Sequence, residues 1–161
     1  MTTSGKVGIL AIDPGTTTGA DCSVWDLDGT VGEAVLGRVG ENRELRMGIE
    51  DQVVALGRMW VGLCEGNPEL KCYLVIESYQ QRPVAHMVPN ESLDPVRVGS
   101  MLVGYLLGIG VGGRVMWQTA GLAKSQCTDA RMKEWGGWIV GSDHRRDALR
   151  HAITARNRLS A

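Results

Sequence analysis

Two short apolar runs, Val7-Gly8-Ile9-Leu10-Ala11-Ile12 and Cys72-Tyr73-Leu74-Val75-Ile76, each lead straight into a carboxylate, Asp13 and Glu77. Runs of this length, closed by turn residues, predict buried strands. The dipeptide Pro14-Gly15 ends the first of them, which sets Asp13 at the C-terminal end of its strand. Glu77 repeats the arrangement on the second strand. Near the other end of the chain, His144 and Asp147 lie three residues apart at the start of a predicted helix, and so share one helical face. Placed this way, the four groups suggest the ligand set of a divalent cation.

The remaining pattern predicts an α/β arrangement. Early strands are expected over Lys6–Asp13, residues 21–27 and residues 30–39, with Asp28-Gly29 as a hairpin turn and the three forming an antiparallel meander. Leu45, Ile49, Val53, Leu56, Trp60 and Leu63 recur at steps of three and four, the period of an amphipathic helix ending near Gly66-Asn67-Pro68. A strand returns over residues 71–78, and residues 79–95, with three prolines, read as a loop directly after Glu77. A helix is expected over 96–109, with glycines that permit close packing on a neighbouring helix or a second subunit. A short strand over Arg114–Gln118, a helix over 128–135 and a last helix over Asp143–Leu159 complete the chain.

With 161 residues and 43% hydrophobic content, the chain has material for one sizeable core, so one domain is expected. The longest apolar stretch, residues 101–111, is too short and glycine-broken to span a bilayer, and the first residues lack the apolar segment of a signal peptide. No membrane association and a cytoplasmic location are expected. Cys22, Cys64, Cys72 and Cys127 form no C-x-x-C pair, and three sit in apolar sequence, which predicts reduced core thiols rather than disulfides or a zinc site. A net charge of −1 lends no general support to nucleic-acid binding, so any DNA-facing surface must be local. Residues 143–158 carry Arg145, Arg146, Arg150, Arg156 and Arg158 against Asp143 and Asp147, a pattern that fits either phosphate attraction or a solvated helix face.

The chemistry suited to the four groups is phosphodiester hydrolysis, which needs an activated water and neutralisation of the charge developing on phosphate and leaving oxygen. Two divalent ions about 3.5 to 4 Å apart supply both. Hard cations such as Mg²⁺ or Mn²⁺ prefer carboxylate oxygens. His144 is a softer ligand that would shift preference towards Mn²⁺, or would carry a proton near the leaving group. Each residue alone discriminates weakly, since Asp-Pro-Gly is often only a turn and a histidine at a helix start only a cap. Their combined order carries the argument.

Three segments, Leu10-Ala11-Ile12-Asp13-Pro14-Gly15-Thr16-Thr17-Thr18-Gly19, Val75-Ile76-Glu77-Ser78-Tyr79 and Asp143-His144-Arg145-Arg146-Asp147-Ala148-Leu149-Arg150-His151-Ala152, together resemble the RuvC-type Holliday junction resolvases. The bacteriophage branch is the most similar, and the similarity runs over nearly the full length, including Lys124, Thr128-Asp129 and Met132-Lys133. The resemblance implies an RNase H-like fold, a mixed five-stranded sheet flanked by helices. It also implies a homodimer that cuts four-way DNA junctions with Mg²⁺ or Mn²⁺. By the same resemblance Asp13, Glu77 and Asp147 match the family's acidic ligands, and His144 takes the remaining ligand position. Asp143 is the second choice there, because its side chain points about 100° away from that of His144. His151, on nearly the same helical face as His144, would support the ligands from behind, touch a phosphate, or lie at the surface. Tyr79 is the nearest match to the aromatic wedge of the family, and Arg82, Lys124, Arg145 and Arg146 are expected phosphate contacts. Lys124 matches a family lysine near the scissile phosphate.

Three other readings compete. Asp13-Pro14-Gly15-Thr16-Thr17-Thr18-Gly19 also resembles the phosphate loop of sugar kinases and actin-like ATPases, but those need two such domains and a second loop. A catalytically silent branched-DNA-binding protein would have to gather unpaired carboxylates at a cost of several kcal/mol. An RNA-processing nuclease of the same fold would be expected to carry a Lys-Arg pair where Thr16-Thr17-Thr18 stands.

Overall fold

In the computed structural model, which describes residues 5–79, 93–109 and 114–161, strand β1 (Lys6–Asp13) lies at the centre of a five-stranded mixed sheet. Strand β2 (Thr18–Asp26) pairs antiparallel to one side of it, and β3 (Val39–Leu45) pairs antiparallel outside β2. On the other side β4 (Lys71–Glu77) and then β5 (Arg114–Gln118) run parallel to β1. Helices cover both faces, which is why the β1 and β4 runs are apolar throughout rather than alternating. Leu10, Ile12, Leu74 and Ile76 pack under α2 (Ile49–Gly66) and α3 (Asp94–Gly108). Val7, Ile9, Ala11 and Val75 face the opposite core with Trp25, Met132, Leu149 and Ile153, the last two from α6 (Asp143–Leu159).

The expected third strand over residues 30–39 is wrong. Residues Val31–Gly37 form helix α1, and β3 begins only at Val39. Gly29 does adopt a positive φ of 76°, but the turn it makes feeds a helix. The Thr30 hydroxyl accepts from the Glu33 backbone N–H while the Glu33 carboxylate accepts from the Thr30 N–H, a capping box that satisfies helix-start donors and outweighs a hairpin. The antiparallel order β1, β2, β3 survives, with α1 inserted. A helix absent from the sequence reading, α4 (Ala120–Gln126), is capped by the Thr119 hydroxyl and precedes α5 (Asp129–Glu134), which Thr128 caps as expected.

On α3, Gly99 packs within its own chain, against Ile76 and Trp117, whereas Gly104 and Gly108 face open space. The four cysteines are free thiols. Among the described residues no helix is long and apolar enough to cross a membrane.

Helix α6 positions the site. Ser142 caps its first turn, accepting from the Arg145 N–H and donating to Glu44 on β3. Asn42, also on β3, donates to the Arg145 carbonyl and to Asp21, while its own amide oxygen accepts from Arg145 Nε. At the far end the buried Arg156 donates to the carbonyls of Asp26, Leu27, Asp28 and Gly29, locking the helix against the turn after β2.

Candidate metal centre

Parallel pairing of β1 and β4 matches Ile12 with Ile76, so Asp13 and Glu77 follow side by side at the C-terminal ends of adjacent strands. Glu77 in turn pairs with Gln118 on β5. By strand alternation these side chains share the face covered by α6, because Ala11 and Val75, two residues earlier, pack into the α6 core. Residues 144, 147 and 151 of α6 fall within about 60° of one another around the helix. The structure thus brings together all four groups singled out as ligands.

They meet as hydrogen-bonded pairs. His144 Nδ1 donates to Asp13 Oδ2 at 2.9 Å, which leaves Nε2 as the nitrogen able to offer a lone pair to a cation. Glu77 Oε2 accepts from His151 Nε2 at 2.8 Å. Asp147 is held by Lys124 Nζ at 3.1 Å and by the Arg150 guanidinium, whose other arm pairs with Asp129 and whose Nε donates to the Cys127 carbonyl. Among the described residues no three His, Cys, Asp or Glu side chains are grouped closely enough to hold a metal ion as they stand.

Electrostatics favour a cation nonetheless. Burial first, then the nearby Glu77 charge and a smaller push from Asp147, outweigh the opposing His144 contact and leave the Asp13 carboxyl raised to about 6. Burial is the larger cause, but the share contributed by Glu77 and Asp147 reflects negative potential that a divalent ion would relieve. Three carboxylates and one imidazole suit Mg²⁺ or Mn²⁺ by their chemistry. By donor chemistry, rather than by their present pairing, Asp13, Glu77, Asp147 and His144 are the groups that could hold such an ion.

The expected DNA contacts divide. Lys124, about half exposed, stands beside Asp147 at the mouth of an open cleft lined by Thr128, Asp129, Arg146 and Arg150. Tyr79 follows Glu77 by two residues and is half-buried. Arg145 is anchored through Nε by Asn42. Arg146 is largely enclosed: it donates to the Ile139 carbonyl, pairs with Asp143 and stacks on Trp138 at 4.7 Å. Arg82 lies outside the described residues. Asp143 is exposed and paired with Arg146, and it lines the same cleft as Asp147. The basic run of α6 is less a surface than its composition suggests, because Arg150 and Arg156 are buried and spent on the fold. The sequence reading left His151 open among three roles; it is fully buried, between Glu77 and Gln118. Gln118 was not singled out, and only the β4–β5 register reveals its place.

No protein-family model matches the sequence, and no curated protein matches it. Solved structures do match in fold. RuvC from T. thermophilus in complex with Holliday junction substrate superposes with a TM-score of 0.56 at 15% identity, covering 92% of this chain and 91% of that one. The Thermus thermophilus RuvC structure gives a TM-score of 0.55 at 15% identity, covering 92% of each chain. The chain has the RuvC, RNase H-like fold. At this identity the likeness establishes architecture, and the chemistry must be argued from the residues at the strand ends.

Proposed function

We propose that the chain is a metal-dependent endonuclease that resolves Holliday junctions, and other branched DNA, by phosphodiester hydrolysis. The observation that carries this reading is the meeting of Asp13 and Glu77, from adjacent parallel strands, with His144 and Asp147 from α6, around a carboxyl pushed up to about 6. The shared fold with a RuvC bound to a Holliday junction supports branched DNA as the substrate class. The motifs around Asp13 and Asp147 favour a bacteriophage member, working in the host cytoplasm.

Two Mg²⁺ or Mn²⁺ ions, when bound, would supply Lewis acidity and a water acidic enough to attack at neutral pH. Asp13, which feels the charges of both Glu77 and Asp147, would be a principal group holding them. Glu77, Asp147 and His144 would hold the ions together with it. Lys124 neutralises the phosphate once it leaves Asp147, because its ammonium is exposed enough to swing. Tyr79 stacks on a base at the branch point, and the outer nitrogens of Arg145 meet phosphate while Asn42 steadies the stem. Arg146, enclosed by Trp138 and Asp143, shapes the first turn of α6 instead. A homodimer would present two such sites to a symmetric junction. The outer side of α3 offers the apolar surface for it, with Val96, Met101 and Leu107 exposed.

The test is cleavage of a mobile four-way junction beside linear duplex, fork and matching RNA, with Mg²⁺ or Mn²⁺ and an Asp13→Asn control. Paired symmetric nicks, absent from the control, support the reading. A second reading, junction binding without catalysis, draws on the fact that each carboxylate already has an internal partner. Junction binding with no metal-dependent cutting of any substrate would establish that alternative and remove the first.

A further inference from the structure

We propose that His151, together with Gln118, is a positioning pair that fixes the Glu77 carboxylate for a divalent cation, a role that rests on the metal-dependent reading above. His151 is fully buried, and both its ring nitrogens are engaged: Nε2 with Glu77 Oε2 at 2.8 Å, Nδ1 with the Gln118 side-chain oxygen at 3.0 Å. A buried imidazole is costly unless its polar atoms are paired, so the geometry commits the ring to one orientation. Glu77 needs such help. Its neighbour across the strand pair is Asp13, whose charge repels it, and nothing else among the described residues bonds to it. Without a donor behind it the carboxylate would swing outward to solvent. The contact from His151 draws Oε2 inward and leaves Oε1 uncommitted for an ion.

Gln118 decides which nitrogen faces Glu77. A carboxylate accepts, so His151 Nε2 must carry a hydrogen and donate. Gln118 Nε2 is buried with no partner among the described residues. Turning the amide by 180° exchanges oxygen for nitrogen at the same place, gives that orphaned N–H the Nδ1 lone pair as partner, and keeps the hydrogen on Nε2. The chain Gln118, His151, Glu77 thus runs across β5, α6 and β4, and the Glu77–Gln118 register pairing holds its ends together. Outer hydrogen bonds of this kind orient ligands and raise metal affinity.

The experiment is Mn²⁺ binding by calorimetry on the full chain, without DNA, so that turnover plays no part. His151→Leu removes the donor and should weaken binding about 10- to 100-fold. His151→Gln, whose amide reaches the same point, should recover most of that loss. In an Glu77→Gln background, His151→Leu should cause no further loss, an outcome a merely structural histidine would not give. Should His151→Leu fail to fold, Gln118→Leu leaves the imidazole in place and should still weaken binding, by about tenfold. Wild-type protein that binds Mn²⁺, with folded His151→Leu and Gln118→Leu proteins that bind it equally well, overturns the positioning role alone. Wild-type protein that binds no Mn²⁺ overturns the metal-dependent reading and this role with it.

Discussion

Gly19 of β2 lies directly against the His144 carbonyl, so close that a methyl group there would overlap the carbonyl oxygen and carbon and crowd the Arg145 nitrogen. The neighbour is backbone, which cannot rotate away. Gly19→Ala should therefore lift the first turn of α6, separate His144 from Asp13, and cost about 1 to 3 kcal/mol or more. Urea unfolding and Mn²⁺ titration would read the two effects together. Gly62→Ala on α2, where an added methyl meets nothing within 4 Å, is the control and should stabilise by about 0.5 to 1 kcal/mol.

Asp13 gives a pH dependence with a definite sign. Its carboxyl sits at about 6 in the fold against an ordinary 3.8, so the folded state holds this proton where the unfolded chain has lost it. The metal-free fold should accordingly lose stability as pH rises from about 4 to about 6, by roughly 3 kcal/mol at most from this group. Asp13→Asn should flatten that part of the profile and be the more stable protein at pH 7 in EDTA. Urea midpoints between pH 4 and 7 would reveal either slope. A divalent ion must displace the same proton, so its affinity should weaken below about pH 6.

What the sequence disclosed follows from how local each signal is. The strand ends at Asp13 and Glu77 and the whole extent of α6 were legible because an apolar run stopping at a carboxylate, and a long segment without glycine or proline, are written in neighbouring residues. The Thr30–Glu33 capping box was equally local, but Asp28-Gly29 imitates a hairpin and drew the reading to a strand. Gln118 and His151 were beyond such reasoning. Their meaning depends on β5 lying beside β4 and on α6 crossing above, and 33 positions separate the two residues. The burial of Arg150 and Arg156 was hidden for the same reason, since composition cannot distinguish an arginine on the surface from one spent on distant carbonyls.

Arg150 should behave as a structural arginine. It is 7% exposed in its side chain and binds Asp147, Asp129 and the Cys127 carbonyl. Arg150→Met leaves the Asp147 carboxylate short of a partner, and should cost about 2 to 3 kcal/mol, below the figure for a fully enclosed pair because Asp129 is exposed. Denaturant unfolding in EDTA checks it.

Saturating Mn²⁺ should raise the unfolding temperature. At a hundred times the dissociation constant, binding contributes about 2.7 kcal/mol, which for a chain of this size corresponds to about 5 to 10 °C. Glu77→Gln should lose most of that increment. Scanning calorimetry with and without the ion measures it directly.

Leu107 is 70% exposed on α3, with Val96 and Met101 also uncovered. The homodimer proposed above should fall to monomers in sedimentation with Leu107→Glu, while the unfolding free energy of the monomer stays within about 0.5 kcal/mol of the parent, as expected for a surface substitution.

His144 reaches Asp13 across 131 positions of sequence. Asp13 closes the first strand, whereas His144 follows all five described strands along the chain. A polypeptide lacking α6 therefore carries neither His144 nor Asp147 beside the strand ends of Asp13 and Glu77. Docking of α6 on the sheet is the event that unites the four groups.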